Sequence, residues 1–124
     1  MGRLDVGIAN LRSTRGNILL CLTRDPRHFP DCSGDPVARH LSFAASAAAV
    51  PARFADLPQG NYAFSVIHDE NGNGRLDRRF GIPTEGVGFS RNPRLRLGAP
   101  TFASASFPVR DAPTVETVRV QYFL

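Results

Sequence analysis

Lysine and tryptophan are absent from this chain, and no hydrophobic run is long. All 15 basic residues are arginine, which together with abundant alanine indicates a GC-rich genome, since arginine and alanine codons are GC-rich. We therefore give little weight to the net charge of +4 as a sign of nucleic-acid binding. The arginines are scattered, and basic helices, zinc-finger spacings and RNA-binding signatures are missing. The sequence favours a protein that binds no nucleic acid.

A membrane-spanning helix is not expected, because such a helix needs about 20 mostly apolar residues. The longest weakly polar stretch, LSFAASAAAVPA, is short and contains Pro51. No charged-then-apolar leader with a small-residue cleavage site opens the chain. We therefore expect no membrane insertion, and either a cytoplasmic protein or one whose leader has been removed.

The apolar residues show no sustained helical periodicity, whereas apolar and polar residues alternate with a period of two in many parts of the chain. With 124 residues, 42 % apolar and 21 % charged, the chain is expected to form one globular domain over 1–124. Strand-like runs include RLDVGIANL and GNILLCLTR, which we expect to form a hairpin or a neighbouring pair. Others are HLSFAAS, VPARFAD, NYAFSVIH, TFASASFPV and VETVRVQYFL. About seven short strands separated by turn signals predict an all-β sandwich, immunoglobulin-like or prealbumin-like.

The alternation stops after His68, and residues 69–100 hold glycines and prolines without sustained periodicity. We expect one long, ordered, glycine-rich loop here. Irregular loops beyond about 12–15 residues are uncommon in compact domains unless they are functional or disordered. A packed loop of this kind needs something to hold it, and a bound metal is one candidate.

The two cysteines, Cys21 and Cys32, leave two readings open. They are either free thiols or a disulfide that pins the intervening loop to the end of a strand. A bridge over this span would stabilise the fold by roughly 2–3 kcal/mol. Zinc-binding spacings of cysteine and histidine are missing.

The stretch HDENGNGRLD carries oxygen-bearing side chains at alternate positions. Counted from Asp69, it reads D-x-N-x-N-G-x-x-D, the first part of an EF-hand-type calcium loop. Calcium takes six to eight hard oxygens, and a chain curling around one ion offers them at alternate residues. The glycine permits a sharp turn. The predicted ligands are Asp69, Asn71, Asn73, the backbone carbonyl of Arg75, Asp77 and, from outside the loop, Glu85.

The match to a calcium loop is incomplete. Phe80 stands where an EF-hand has its bidentate glutamate, and flanking helices are not expected. Glu85 is the first candidate to complete the shell, with Glu70 and Asp56 behind it. Weak binding, roughly 10⁻⁵ to 10⁻³ M, is expected. The alternative is a metal-free turn, because asparagine and aspartate side chains also build turns unaided.

The stretch LPQGNYAFSVIHDENGNGRLD, followed by FGIPTEGVGFSRN and GAPTFASASF, resembles a bacterial family known only as domain of unknown function 2141. The resemblance covers most of the chain and brings no established activity. It implies a secreted or periplasmic protein whose signal peptide is removed, and a β-sandwich. The segment CLTRDPRHFPDC resembles one subgroup of that family, and an oxidising location would support the disulfide.

Our leading hypothesis is a non-enzymatic module of the bacterial envelope, with structural Ca²⁺ and a surface for an envelope protein or carbohydrate. His68, Phe89 and Ser90 are candidates for that surface. Phe80, Phe89 and Phe102 are either exposed aromatics of a binding surface or side chains that plug a loop onto the sandwich, and aromatic residues of this kind more often have the second role. A second hypothesis is a small hydrolase using His68 with Asp69, Glu85 or Ser90, which requires these groups to converge in an open pocket. A third is a carbohydrate- or protein-binding domain without metal.

Overall fold

A computed structural model describes residues 1–79, 82–95 and 99–124. The strands within these residues are β1 (Gly2–Ala9), β2 (Asn17–Thr23), β3 (Arg39–Ala44), β4 (Ala52–Leu57), β5 (Gly60–Asp69), β6 (Arg78–Arg79), β7 (Ile82–Pro83), β8 (Gly86–Phe89), β9 (Phe107–Val109) and β10 (Pro113–Arg119). One helical turn, α1 (Phe102–Ala105), and two 3-10 turns, Pro26–His28 and Ala45–Ala47, accompany them. The all-β prediction is confirmed.

Two sheets pack against each other. Sheet A has the order β10-β1-β4, with β1 parallel to β10 and antiparallel to β4. Sheet B has the order β3-β2-β5-β8, and β9 pairs with the first residues of β5. Strands β6 and β7 form a separate two-stranded ladder. This is a sandwich-like arrangement.

The apolar alternation places the core between the two sheets. Leu4 and Val6 of β1 are fully buried, and they share one hydrophobic cluster with Ile18, Phe64 and other inward residues of sheet B. Strands β1 and β2 thereby alternate fully buried with partly buried side chains along most of their length, as a period of two predicts. Burial of this kind contributes about 25 cal/mol per Å² of apolar surface.

The expected pairing of the first two strands is wrong. β1 lies in sheet A and β2 lies in sheet B. β1 is bonded along both edges, to β10 and β4, while β2 is bonded along both edges to β3 and β5. Neither strand has an edge left for the other, so the segment between them crosses from one sheet to the other.

The prediction of a single long loop over 69–100 is also wrong, because β6, β7 and β8 lie within it. Phe80 and residues 81 and 96–98 of that segment lie outside the described residues. In β8 the core-facing positions are glycine. A Cβ on Gly88 would lie 2.7 Å from Val118 Cγ2 and 2.8 Å from Val66 Cγ1. Glycine lets β8 approach its neighbours closely. Because glycine replaces apolar side chains at these positions, the sequence of β8 lacks the alternation from which a strand is predicted.

The run TFASASFPV was expected to be a strand, but only its end, β9, is one. Thr101 caps the helical turn α1 that precedes β9, since its hydroxyl oxygen accepts a hydrogen bond from the Ser104 amide at 3.3 Å. Small polar side chains that bond to nearby backbone favour such caps over an extended strand.

The disulfide is confirmed and holds a loop against the outer face of sheet B. Cys21 and Cys32 are joined, with Cα atoms 6.3 Å apart. Within the bridged loop, the Pro30 carbonyl accepts a hydrogen bond from the Ser65 hydroxyl at 2.7 Å. The Phe29 ring lies edge-on to Phe89, with ring centroids 6.0 Å apart.

The partly buried rings of Phe89 and Phe102 attach this loop to the sandwich. Phe29 makes a second edge-on contact with Phe102, at 6.1 Å between centroids. Edge-to-face pairs of this kind contribute about 0.5–1.5 kcal/mol beyond the area they bury. The expectation that Phe89 and Phe102 plug a loop onto the sandwich is therefore met, and Phe29 is the partner that the sequence did not reveal.

Candidate functional site

Strand β5 delivers His68 and Asp69 to the end of sheet B. His68 lies opposite Ile18 of β2 and Gly86 of β8, and Asp69 lies opposite Asn17. Because side chains alternate along a strand, the two residues face opposite sides of the sheet. Both are 0 % exposed. The end of the central strand therefore buries two polar side chains, which must find partners.

The turn that follows is built by side-chain oxygens that accept backbone hydrogen bonds. Asp69 Oδ2 accepts from the Gly74 amide at 2.7 Å. Asn71 Oδ1 accepts from the Asn73 amide at 3.2 Å, and Asn73 Oδ1 accepts from the Arg75 amide at 3.1 Å. Gly74 has φ +79°, a left-handed conformation that glycine adopts without strain. Asp69, Asn71 and Asn73, three of the alternate positions that the sequence singled out, thus all accept backbone hydrogen bonds that shape the turn.

Asp77 closes the turn. Its carboxylate accepts hydrogen bonds from the side-chain amides of Asn71, at 2.7 Å, and Asn73, at 2.8 Å. These two bonds lower the pKa of Asp77. The Asp77 amide donates to Glu85 Oε1 at 3.3 Å, and its carbonyl accepts from the Thr84 amide at 3.0 Å. Asp77 therefore ties the turn to the segment that enters β8.

Glu85 and Asp69 are two neighbouring buried carboxylates. Glu85 is 5 % exposed, and burial raises its pKa, as does the adjacent Asp69 charge. One oxygen of each carboxylate is used, Glu85 Oε1 by Asp77 and Asp69 Oδ2 by Gly74. The other oxygens, Glu85 Oε2 and Asp69 Oδ1, accept no hydrogen bond within the described residues. Groups of three or more histidine, cysteine or acidic side chains close enough to share a metal are not found in that same part of the chain.

The structure brings together Asp69, Asn71, Asn73, Asp77 and Glu85, with Arg75 following in the same turn. Glu70 and Asp56, the reserve donors considered from the sequence, lie elsewhere. Asp56 is the second-to-last residue of β4, where its carbonyl accepts a hydrogen bond from Arg39 at 3.0 Å.

Glu70 faces away from the turn, into a cluster of arginines. Its carboxylate accepts from Arg12 Nη2 at 2.6 Å, the Ser13 hydroxyl at 2.8 Å and Arg15 Nη2 at 3.1 Å. Burial alone would raise the pKa of Glu70, but the hydrogen bonds from Arg12 and Ser13 outweigh it and lower the pKa to about 2. Glu70 therefore anchors the segment between β1 and β2 to the end of β5.

His68 is held by partners at both ring nitrogens. Nδ1 lies 2.8 Å from the Tyr122 hydroxyl, and Nε2 lies 2.8 Å from the Arg15 carbonyl. The Arg12 guanidinium carbon lies 4.4 Å from the centre of the Tyr122 ring. Arg12, Arg15 and Tyr122 were not predicted from the sequence, because more than 50 residues separate them from the strand end they support.

The expectation that His68 and Ser90 contribute to a ligand surface is corrected, since both are 0 % exposed. The Ser90 hydroxyl donates to the Ala105 carbonyl at 2.6 Å and accepts from the Phe64 amide at 3.0 Å. It fastens α1 to β5. Phe89, which is partly buried, contacts Phe29.

Within the described residues, His68 is 0 % exposed and does not open onto the catalytic pocket that a hydrolase would need. Tyr122 and Arg15 occupy its ring nitrogens, while Ser90 bonds to other residues. A general base must reach the proton that it removes, and a nucleophile needs such a base beside it. The side chains of His68 and Ser90 are both buried, and each is hydrogen-bonded to other residues instead of to the other.

Comparison with known proteins adds a family and no activity. No helix among the described residues is long and apolar enough to cross a membrane. Searches among curated proteins and among solved structures gave no match. One family, described as "Uncharacterized protein conserved in bacteria (DUF2141)", matches residues 6–117, which is most of the chain. The chain belongs to this bacterial family, DUF2141.

Proposed function

We propose that this protein is a non-enzymatic β-sandwich module of the bacterial envelope, stabilised by one calcium ion. The 69–77 turn and Glu85 bind the ion, which fixes the segment leading into β8. The module presents its surface to a ligand or partner, such as an envelope protein or a carbohydrate.

The observation that carries the calcium proposal is the pair of unpartnered carboxylate oxygens. Asp69 Oδ1 and Glu85 Oε2 are buried, and their carboxylates lie side by side. Two buried like charges are unfavourable unless a proton or a cation neutralises them. Free carboxylate oxygens are also the hard ligands that calcium prefers.

The same turn can supply the remaining ligands. Calcium takes six to eight oxygens, and the candidates are the carboxylates of Asp69, Asp77 and Glu85, the amide oxygens of Asn71 and Asn73, and the Arg75 carbonyl. The hydrogen bonds from Asn71 and Asn73 to Asp77 would have to give way to bonds with the ion. That exchange has a cost, and the arginines at 75, 78 and 79 oppose a cation, so binding is weak.

A bound ion would act on structure, because its ligands come from separate segments. Asp69 ends β5, Asp77 immediately precedes β6, and Glu85 immediately precedes β8. One ion at these three residues would join the central strand of sheet B to its edge strand. β8 has glycine at its core-facing positions, Gly86 and Gly88, so these positions supply no side chain to anchor the strand in the core.

The non-enzymatic and envelope parts of the proposal have separate support. The first is supported by the hydrogen bonds that engage His68 and Ser90 with other residues. The second is supported by the disulfide, because disulfides persist in oxidising compartments.

Thermal unfolding of the oxidised protein tests the calcium site. The protein is unfolded in chelator, in calcium and in magnesium. At about 5 mM calcium, a site with Kd about 10⁻⁴ M stabilises the native state by about 2 kcal/mol. For a chain of 124 residues this raises the midpoint by about 8 °C.

Two matched variants locate the site. Asp69→Asn keeps an oxygen for the Gly74 amide and removes the charge. Asp31→Asn makes the same change at an exposed residue that also accepts a backbone hydrogen bond, from the Ser33 amide. We expect the calcium response to persist in Asp31→Asn and to be lost in Asp69→Asn. A wild-type protein that does not respond to calcium has a metal-free turn, and a response that survives in Asp69→Asn excludes this site.

A further inference from the structure

A groove of about 360 Å³ lies at the far end of sheet B from the calcium turn. Tyr62, near the start of β5, lines this groove, whereas Asp69 ends the same strand. Seven residues of extended strand span about 23 Å. The groove is therefore a separate feature, and its volume is near the lower limit of small-molecule sites, about 300–1,000 Å³.

The base of the groove is apolar. Leu22 at the end of β2, Leu57 at the end of β4 and the Tyr62 ring line it, and all three belong to the core cluster. The Tyr62 hydroxyl donates to the Pro58 carbonyl at 2.7 Å, so its polar atom is already bonded. One wall comes from the segment that follows the disulfide, where Val37 is 64 % exposed. An apolar ligand could cover this side chain.

The charged residues that line the groove are both arginines, Arg24 and Arg39. Arg39 is held in place, because its Nη1 donates to the Ala55 carbonyl at 3.2 Å and its Nη2 to the Asp56 carbonyl at 3.0 Å. Arg24 lies beside Gly60 and has no hydrogen bond or ion pair with the described residues. The nearby Asp35 carboxylate accepts from the Thr23 hydroxyl and the Val37 amide instead.

We propose that this groove binds a small aliphatic carboxylate. The tail lies against Val37, which is the exposed apolar side chain of the groove, over a floor formed by Leu22, Leu57 and Tyr62, and the carboxylate meets Arg24 and Arg39. Guanidinium groups match the planar geometry of a carboxylate. The lining is mainly apolar and contains two arginines, so it suits a ligand with an apolar tail and one negatively charged group. The site does not depend on the calcium proposal, because the two lie at opposite ends of β5.

Titration followed by amide chemical shifts tests the site, with decanoate kept below its micellar concentration. Decanol supplies the same tail without charge, and acetate supplies the charge without the tail. We expect saturable shifts with decanoate at residues 22–24, 37–39 and 57–62, in chelator and in calcium alike. Decanol and acetate should each bind at least about tenfold more weakly, because each lacks one of the two contacts.

Arg24→Gln is the decisive variant, since Arg24 has no partner among the described residues whose loss could loosen the fold. It should weaken decanoate binding about tenfold. Arg94→Gln removes one exposed arginine that does not line the groove, and should leave binding unchanged. Equal binding of decanol and decanoate, unchanged affinity in Arg24→Gln, or shifts confined to other residues would each overturn the proposal.

Discussion

The carboxylate of Glu85 should have opposite effects on stability with and without calcium. Without the ion, it lies buried beside Asp69, and one oxygen of each is unpartnered. With the ion, the same charge is a ligand. Glu85→Gln keeps an oxygen to accept the Asp77 amide bond and removes the charge. We therefore expect this variant to be more stable than the wild type in chelator and less stable in calcium.

The size of the effect in chelator follows from the repulsion that the substitution removes. For scale, any two like unit charges repel by about 4 kcal/mol at a separation of about 4 Å and an effective dielectric constant of about 20. The raised pKa of Glu85 lets the wild-type protein take up a proton and avoid part of this cost. We expect a gain of about 1–2 kcal/mol, or about 4–8 °C in midpoint for a chain of this length.

The assay is thermal or urea unfolding of the oxidised protein in chelator and at several calcium concentrations. Glu116→Gln on β10 is the control, since it makes the same substitution in sheet A, away from the turn. The reasoning is refuted if Glu85→Gln destabilises the protein equally in both conditions, because Glu85 is then only a hydrogen-bond acceptor. A calcium response that survives in Glu85→Gln removes Glu85 from the proposed ligand set.

Other substitutions test the parts of the fold that support the turn. Replacing both cysteines by serine should cost about 2–3 kcal/mol in urea unfolding, the loop entropy of an 11-residue separation; an unchanged midpoint would contradict this. Gly88→Ala should cost about 1–3 kcal/mol, because its Cβ would meet Val118 Cγ2 at 2.7 Å. Gly7→Ala, whose Cβ finds its nearest neighbour at 3.4 Å, is the control and should be near neutral. Glu70, which Arg12 holds at a pKa of about 2, should stabilise the fold fully above pH 4.5 and progressively less as the pH falls towards 2. Unfolding midpoints across this pH range should therefore fall less steeply in Glu70→Gln than in the wild type.

Strands could be predicted from the sequence where apolar and polar side chains alternate. Which strands pair with each other could not be predicted in this way. Leu4 and Val6 lie on the buried face of β1, and Ile18 and Leu20 lie on the buried face of β2, as the alternation of apolar residues in each run requires. The same alternation fits a strand in either sheet, so it does not say which strands are neighbours. Adjacency along the chain favoured a β1–β2 pair, but the two strands lie in different sheets.

The turn could be predicted because its contacts are local, and its surroundings could not. The bonds from Asn71 and Asn73 to Asp77 span six and four residues, and the spacing of the motif already implies them. The partners of Glu70 and His68 lie more than 50 residues away. The roles of His68 and Ser90 depend on their burial, which the sequence does not show. A serine or histidine in a strand can face solvent or be buried with hydrogen-bond partners in the core. The apolar alternation around these two residues is too weak to distinguish an exposed side chain from a buried one.

His68, Asp69 and Glu70, at the end of β5, differ in how many of their side-chain polar atoms have hydrogen-bond partners. That difference indicates which of the three could bind a ligand. His68 is buried, and both of its ring nitrogens have partners, so nothing about it calls for a ligand. Glu70 is surrounded by donors that suit its charge. Asp69, between them, is buried with one oxygen free and a second carboxylate beside it. A buried charge without compensation is expensive, and a fold retains one only where something else supplies the compensation. Among the described residues, two buried carboxylate oxygens without a hydrogen-bond partner thus lie between Asp69, which ends β5, and Glu85, which immediately precedes β8, and one hard cation would act there.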